Sequence, residues 1–238
     1  MYARTVNGRI LTFGVSGKLI RNSLVMYDRE THSLWSHLTG GAIDGPLSGA
    51  QLQVITASQT TWEEWRRAYP NTRVVPHDYP GQTDRLRYFT NQAAGIQGRL
   101  HDDNRLAAKA KVIGVRVLDQ AKAYPLSAIV RAKVVNDTFA DQELVVFRTG
   151  PESASVFRRN LNRQTLTFEA SADGSITDEE TGTGWDPLTG EARIGPLAGS
   201  RLTPVDAITS FWFGWFDFFP ETAVYRGVNP RSLRASAL

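Results

Sequence analysis

Residues 14–18, Gly-Val-Ser-Gly-Lys, are the first stretch whose composition invites chemistry. A phosphate-binding loop needs Gly, four residues, Gly-Lys and then Ser or Thr, so that backbone N–H groups and the lysine surround the phosphate. Thr12 stands where its first glycine belongs, and Leu19 follows Lys18. A nucleophile elbow needs Gly-x-Ser-x-Gly, and Lys18 replaces its last glycine. Neither motif is complete, which leaves a glycine turn carrying Ser16 and Lys18. The histidines, His32, His37, His77 and His101, fit no zinc spacing. Asp173, Asp178, Glu179 and Glu180 lack the EF-hand pattern. With no cysteine there is no disulfide, thiolate nucleophile or thiolate metal site. The sequence therefore assigns no metal and names no cofactor.

The carboxylates recur instead in a pattern. Asp28-x-Glu30-Thr31 returns as Asp178-x-Glu180-Thr181, an offset of 150 residues. The match runs without a gap from residues 28–75 onto 178–225. It includes Trp35 with Trp185, Leu38-Thr39-Gly40 with Leu188-Thr189-Gly190, and Gly45-Pro46-Leu47 with Gly195-Pro196-Leu197. It ends with Trp62, Trp65 and Pro70 against Trp212, Trp215 and Pro220. Upstream the offset becomes 155, with Asn7 and Leu11-Thr12-Phe13 matching Asn162 and Leu166-Thr167-Phe168. The first copy thus holds five extra residues within roughly 14–27. Ser16, Lys18, Arg21 and Asn22 belong to that copy alone, and an insertion in a repeated fold is a place for a ligand. Repeated Asp and Thr also have a structural use, because their short side chains bond turn backbone.

Each copy reads as short strands between Gly/Pro turns, followed by one helix. Strands are expected at 8–13, 24–27 and 51–55, with a hairpin turn over 28–33. Thr60 or Thr61, with Glu63 or Glu64 three residues on, predicts a capping box and a helix to about Tyr69. Trp62, Trp65 and Tyr69 share one face of it. The second copy's helix, 211–219, is apolar all round, as a buried packing element would be. Val112–Val117 and Leu144–Phe147 read as strands that precede the second copy; nothing in the chain precedes the first copy to match them. The expected fold is α+β and mainly β: two homologous units of short antiparallel strands, each with one Trp-rich helix, the first incomplete at its N-terminus. The expected blocks are 1–76, a connector over 77–111, 112–225, and a tail over 226–238, with one compact pseudo-symmetric domain as the alternative arrangement. All six tryptophans are expected in cores.

The chain has 238 residues, 41% hydrophobic and 21% charged, enough for one large domain or two small ones without disulfide staples. No apolar run is long enough for a membrane span. The N-terminus shows no signal-peptide core. Net charge is +3. Basic residues gather over 99–133 and acidic ones over 169–191, a pattern of solvated faces rather than a nucleic-acid surface.

The run Leu11-Thr12-Phe13-Gly14-Val15-Ser16-Gly17-Lys18-Leu19, with Asn22 to Thr31 and Ser33-Leu34-Trp35-Ser36, resembles the prokaryotic family called domain of unknown function 3179. Val112-Ile113-Gly114-Val115, Ala123-Tyr124-Pro125-Leu126 and Val134-Val135-Asn136-Asp137-Thr138 look like the same family. The resemblance implies a domain type and an extracytoplasmic setting, not an activity. Its members often carry Cys-Pro-Leu-Cys and His-Glu; here the matching stretches read Arg148-Thr149-Gly150-Pro151 and Ala132-Lys133.

Two readings follow. In the first, the chain is a non-catalytic binding or scaffold module for a small molecule or protein, with Ser16, Lys18, Asn22 and Asp28 as the ligand surface. In the second, it is part of a metal-dependent or redox enzyme whose Cys-x-x-Cys segment lies upstream. A homodimer that completes the first unit is compatible with either.

Overall fold

A computed structural model describes residues 1–74, 93–98 and 102–227. The protein is mainly β, with antiparallel pairing dominant and three short helices among the described residues. It divides into two compact units, each assembled from separated stretches of chain: 1–57, 92–109 and 211–220 form the first, and 58–91, 110–210 and 221–238 the second. The sheet of residues 13–44 shares a unit with the helix near the C-terminus, and the earlier helix groups with the later sheets.

In the first unit, β1 (Thr5–Val6) and β2 (Arg9–Ile10) form a hairpin closed by Asn7 and Gly8, both at positive φ. Asn-Gly suits a two-residue loop of that kind because neither residue is strained there. The strand expected over 8–13 therefore breaks after Ile10, and Phe13 opens a new one. A four-stranded antiparallel sheet follows, of β3 (Phe13–Ile20), β4 (Ser23–Asp28), β5 (Leu34–Ser36) and β6 (Ala42–Asp44). Where a strand was expected at 51–55 only single bridges form, Gly41 with Gln51 and Tyr2 with Val54. Val6, Leu11, Trp35, Ala42 and Leu52 make the core.

The second unit contains α1 (Trp62–Ala68), whose Thr61 and Glu64 close the expected capping box. Its core lies in β7 (Lys111–Val117), β8 (Gln120–Pro125), α2 (Leu126–Ala132), β9 (Val134–Phe139), β10 (Gln142–Gly150) and β11 (Ser153–Arg158). A hairpin of β12 (Asn160–Leu161) and β13 (Gln164–Thr165) leads into a second four-stranded sheet. That sheet is β14 (Phe168–Ala170), β15 (Ile176–Asp178), β16 (Gly184–Trp185) and β17 (Ala192–Ile194). β18 (Ala207–Phe211) runs up to α3 (Trp212–Phe218), and β19 (Ala223–Val224) adds a parallel edge to β8.

The tryptophans divide. Trp35, Trp185, Trp212 and Trp215 are buried, as expected. In α1 no residue is buried; Trp62 is 50% exposed and Trp65 half-buried. The difference lies in what surrounds each helix. In the first unit Arg105 stacks over the Trp212 and Phe216 rings, and Asp103 accepts from the Trp212 indole at 3.1 Å. Position 66 of α1 is arginine where α3 has Phe216. Trp212, Phe213, Trp215, Phe216 and Asp217 of α3 are buried, and Phe211, Phe218 and Phe219 are half-buried. Most of the expected connector, the tail beyond 227, His77 and His101 lie outside the described residues.

Candidate functional site

Sequence placed the ligand surface on the β3–β4 hairpin, and the hairpin separates the four residues named for it. β3 pairs with β4 from Phe13–Asp28 to Val15–Met26, then again at Leu19–Leu24 and Ile20–Ser23. Between these stretches Ser16, Gly17 and Lys18 bulge opposite Val25. The Ser16 hydroxyl donates to the Val25 carbonyl at 2.6 Å and accepts from the Lys18 N–H at 3.1 Å. Gly17 sits at φ +76 with nothing within 4 Å of its missing side chain, and is exposed. Lys18 is exposed.

Arg21 and Asn22 close the hairpin, both at positive φ, as in a type I′ loop. Their side chains reach into the rest of the first unit. The Asn22 amide donates to the Gly98 carbonyl at 2.9 Å and accepts from the Gln97 N–H at 2.8 Å. The Arg21 guanidinium donates to the Asp217 carbonyl at 3.0 Å and lies over the Phe218 ring. In the second sheet the matching pairs are Phe168–Asp178 and Ala170–Ile176, after which only residues 171–175 make the turn. The extra length of the first hairpin therefore lies beyond Val15–Met26, and it carries the bulge and the residues that grip 97–98 and α3.

Asp28 lies at the opposite end of β4, about 20 Å of strand from Asn22. It is buried, and its carboxylate accepts from the Thr31 N–H at 2.6 Å, the Thr31 hydroxyl at 3.0 Å and the Trp35 indole N–H at 2.9 Å. Burial alone would raise its pKa; the bonds from Trp35, Thr31 and Ser33 outweigh that and hold it below the usual carboxylate value. Glu30 accepts from the Thr12 N–H at 2.8 Å and closes the same turn. The second sheet repeats these contacts: Asp178 accepts from the Thr181 N–H at 2.6 Å and the Trp185 indole at 2.8 Å, and Glu180 from the Thr167 N–H. The repeated Asp-x-Glu-Thr is a turn that anchors a tryptophan. Among the described residues no three His, Cys, Asp or Glu side chains converge as metal ligands.

A charged cluster lies in the second unit. Lys122 on β8 meets Asp137 on β9 at 2.5 Å, and the Tyr124 hydroxyl donates to the same carboxylate oxygen at 2.8 Å. Lys122 also faces the Tyr124 and Phe139 rings. Burial, then the Asp137 charge and its hydrogen bond, push the Tyr124 phenol far above its usual pKa. The phenol is a fixed donor here, not a proton-transfer group near neutral pH. Next to Asp137, the Asn136 side chain clamps the Phe168 backbone, donating to its carbonyl at 2.7 Å and accepting from its N–H at 2.9 Å.

The model of the family described as Protein of unknown function (DUF3179) matches residues 1–222. The chain belongs to this family. No curated protein and no solved structure matches it. The runs that carried the resemblance to DUF3179 contain Tyr124, Asn136, Asp137, Asp28, Glu30 and Trp35, and each of these side chains is held by intrachain hydrogen bonds. Arg148 and Lys133 are neighbours: the Arg148 N–H donates to the Lys133 carbonyl at 2.8 Å. The Lys133 ammonium reaches on to the Ser171 carbonyl at 3.0 Å. The sequence reading did not single out Lys122. Its signal was the two-residue spacing to Tyr124 on one strand, which puts both on the same face. No helix among the described residues is long and apolar enough to cross a membrane.

Proposed function

We propose that this chain is a non-catalytic binding or scaffold module of extracytoplasmic setting, and that a small-molecule or protein ligand meets it at the Ser16–Lys18 bulge. One observation carries the reading. Asp28, Glu30, Trp35, Tyr124, Asn136 and Asp137 of the family-like runs are engaged by the fold, whereas Lys18, in the same runs, is exposed on a bulge with Ser16 and Gly17. In this reading Lys18 supplies charge to an anionic or acceptor group. Asn22 positions the hairpin through 97–98, and Asp28 fixes its base. Thermal-shift screening against small anionic compounds tests it. A compound that stabilises the wild type but not Lys18→Ala supports the bulge. Stabilisation that survives both Lys18→Ala and Ser16→Ala moves the site elsewhere.

The metal or redox enzyme reading is favoured by the Arg148–Lys133 contact alone. A chain with Cys-x-x-Cys and His-Glu at such positions would bring a thiol strand against the Glu backbone, with the His one residue before it, a setting for metal binding or redox exchange. Elemental analysis and thiol titration of a product extended upstream decide it: neither metal nor reactive thiol pair, and the reading fails.

A further inference from the structure

Lys122 and Asp137 are placed to react with each other. Both belong to the second unit, on strands of different sheets: Lys122 within β8 and Asp137 within β9. The chain between them is ordered throughout, running from β8 through α2 into β9. The Lys122 Nζ stands 2.5 Å from the Asp137 Oδ2. Cγ is one bond further on, which brings nitrogen and carbon close to the ~3–3.5 Å from which bond formation starts.

The surroundings favour a neutral product over two charges. The Lys122 side chain is 15% exposed and that of Asp137 16%. Lys122 faces the Tyr124 and Phe139 rings, and the Tyr225 ring lies 5.7 Å from that of Tyr124. Tyr124 and Phe139 are part of the buried core that also holds Val115, Val117 and Val135. Charges withdrawn from water in such a place pay a desolvation penalty that their mutual attraction repays only in part. An amide carries no charge and escapes it.

Both carboxylate oxygens have fixed donors. The Thr138 N–H donates to Oδ1 at 3.0 Å, and the Tyr124 hydroxyl to Oδ2 at 2.8 Å. Burial and the neighbouring carboxylate keep the phenol protonated, so it remains a donor throughout.

We propose that Lys122 and Asp137 join in an isopeptide bond, an amide from Nζ to Cγ that ties β8 to β9. The ammonium first passes one proton to Oδ2, leaving an amine beside a carboxylic acid. The nitrogen lone pair attacks Cγ, and the negative charge that develops on Oδ1 meets the Thr138 N–H. A second proton moves from nitrogen to Oδ2, the Cγ–Oδ2 bond breaks and Oδ2 leaves as water. One ammonium and one carboxylate thus become one amide and one water, with no oxidant or cofactor. A covalent link of this kind stabilises a fold chiefly by restricting the unfolded chain.

Intact mass and tryptic mapping of the full chain, folded and incubated at neutral pH, test the bond. The expected mass lies one water below that of the sequence. Cleavage after Lys122 should be lost, and segments 117–131 and 134–148 should appear as one branched peptide. Lys122→Arg keeps the charge but forms no such amide, and should show the full sequence mass. Full mass in the wild type, with cleavage after Lys122, overturns the proposal. So does a missing water that maps to other residues or persists in Lys122→Arg. The wild-type map decides the matter even where the variant fails to fold.

Discussion

Replacing Asp28 by alanine should cost about 2–4 kcal/mol. The carboxylate is buried and accepts three hydrogen bonds, two from Thr31 and one from the Trp35 indole. A hydrogen bond to a charged group contributes about 1.5–3 kcal/mol, and a buried donor left without a partner costs about 1–3 kcal/mol. The Thr31 N–H lies in a turn that water reaches, so the indole N–H dominates the loss. Trp35→Phe removes the same bond from the other side. The double variant should therefore recover about 1.5–3 kcal/mol of coupling relative to the sum of the single changes. Urea unfolding followed by far-ultraviolet circular dichroism reads all four species. Asp178 makes the same contacts with Thr181 and Trp185, so Asp178→Ala should agree with Asp28→Ala within about 1 kcal/mol. The carboxyl's lowered pKa gives a second readout. The unfolded chain takes up its proton near pH 4, while the folded chain resists until lower pH. Stability from this group is full above that range and falls as pH drops through it. Asp28→Asn should flatten that part of the stability–pH curve. Coupling below about 0.5 kcal/mol, within the additivity expected of independent sites, would refute the anchoring role.

Gly45→Ala should destabilise by about 1–3 kcal/mol, since φ is +92 and the added carbon would lie 2.8 Å from the Ser33 Cα; denaturant titration checks it. Asp137→Ala should cost about 2–3 kcal/mol, because it strands a largely buried lysine and removes the acceptor of Tyr124. In the wild type, alkaline absorbance titration should show Tyr124 protonated well above pH 10, with its contribution to stability lost as pH rises beyond the unfolded value. Asn22→Ala should leave global stability within about 1 kcal/mol yet speed amide exchange at Gln97 by tenfold or more, because that N–H bonds the Asn22 side chain.

Much of the fold was legible because local chemistry and tertiary context agree. The Asp28 to Ser33 turn follows from Asp, Glu and Thr bonding nearby backbone, and Trp35 completes it seven residues on. The capping box at Thr61 and Glu64 is equally local. What the sequence hid depends on distant partners. Trp62 and Trp212 have the same helical context, but only Trp212 meets an Arg105 and an Asp103. No local signal says which sheet a helix will join, so the grouping of α3 with the sheet of residues 13–44 rests on distant contacts. The candidate site was legible only in part. The insertion was visible as a change of offset, and Ser16 and Lys18 do lie together on it. Asn22 was singled out as unique to one copy, yet its partners at 97–98 lie 75 residues away in a stretch without periodicity.

Chemical-shift mapping of the first compound found to stabilise the protein would test the binding reading most directly. With backbone amides labelled, the account predicts that the perturbed signals cluster at Val15 to Leu19, with Lys18 foremost, and that Asp28, Asn136 and Asp137 stay unmoved. Perturbations centred on Lys122, Tyr124 and Asp137, with residues 15–19 silent, would contradict it and return those motif residues to direct contact with the ligand.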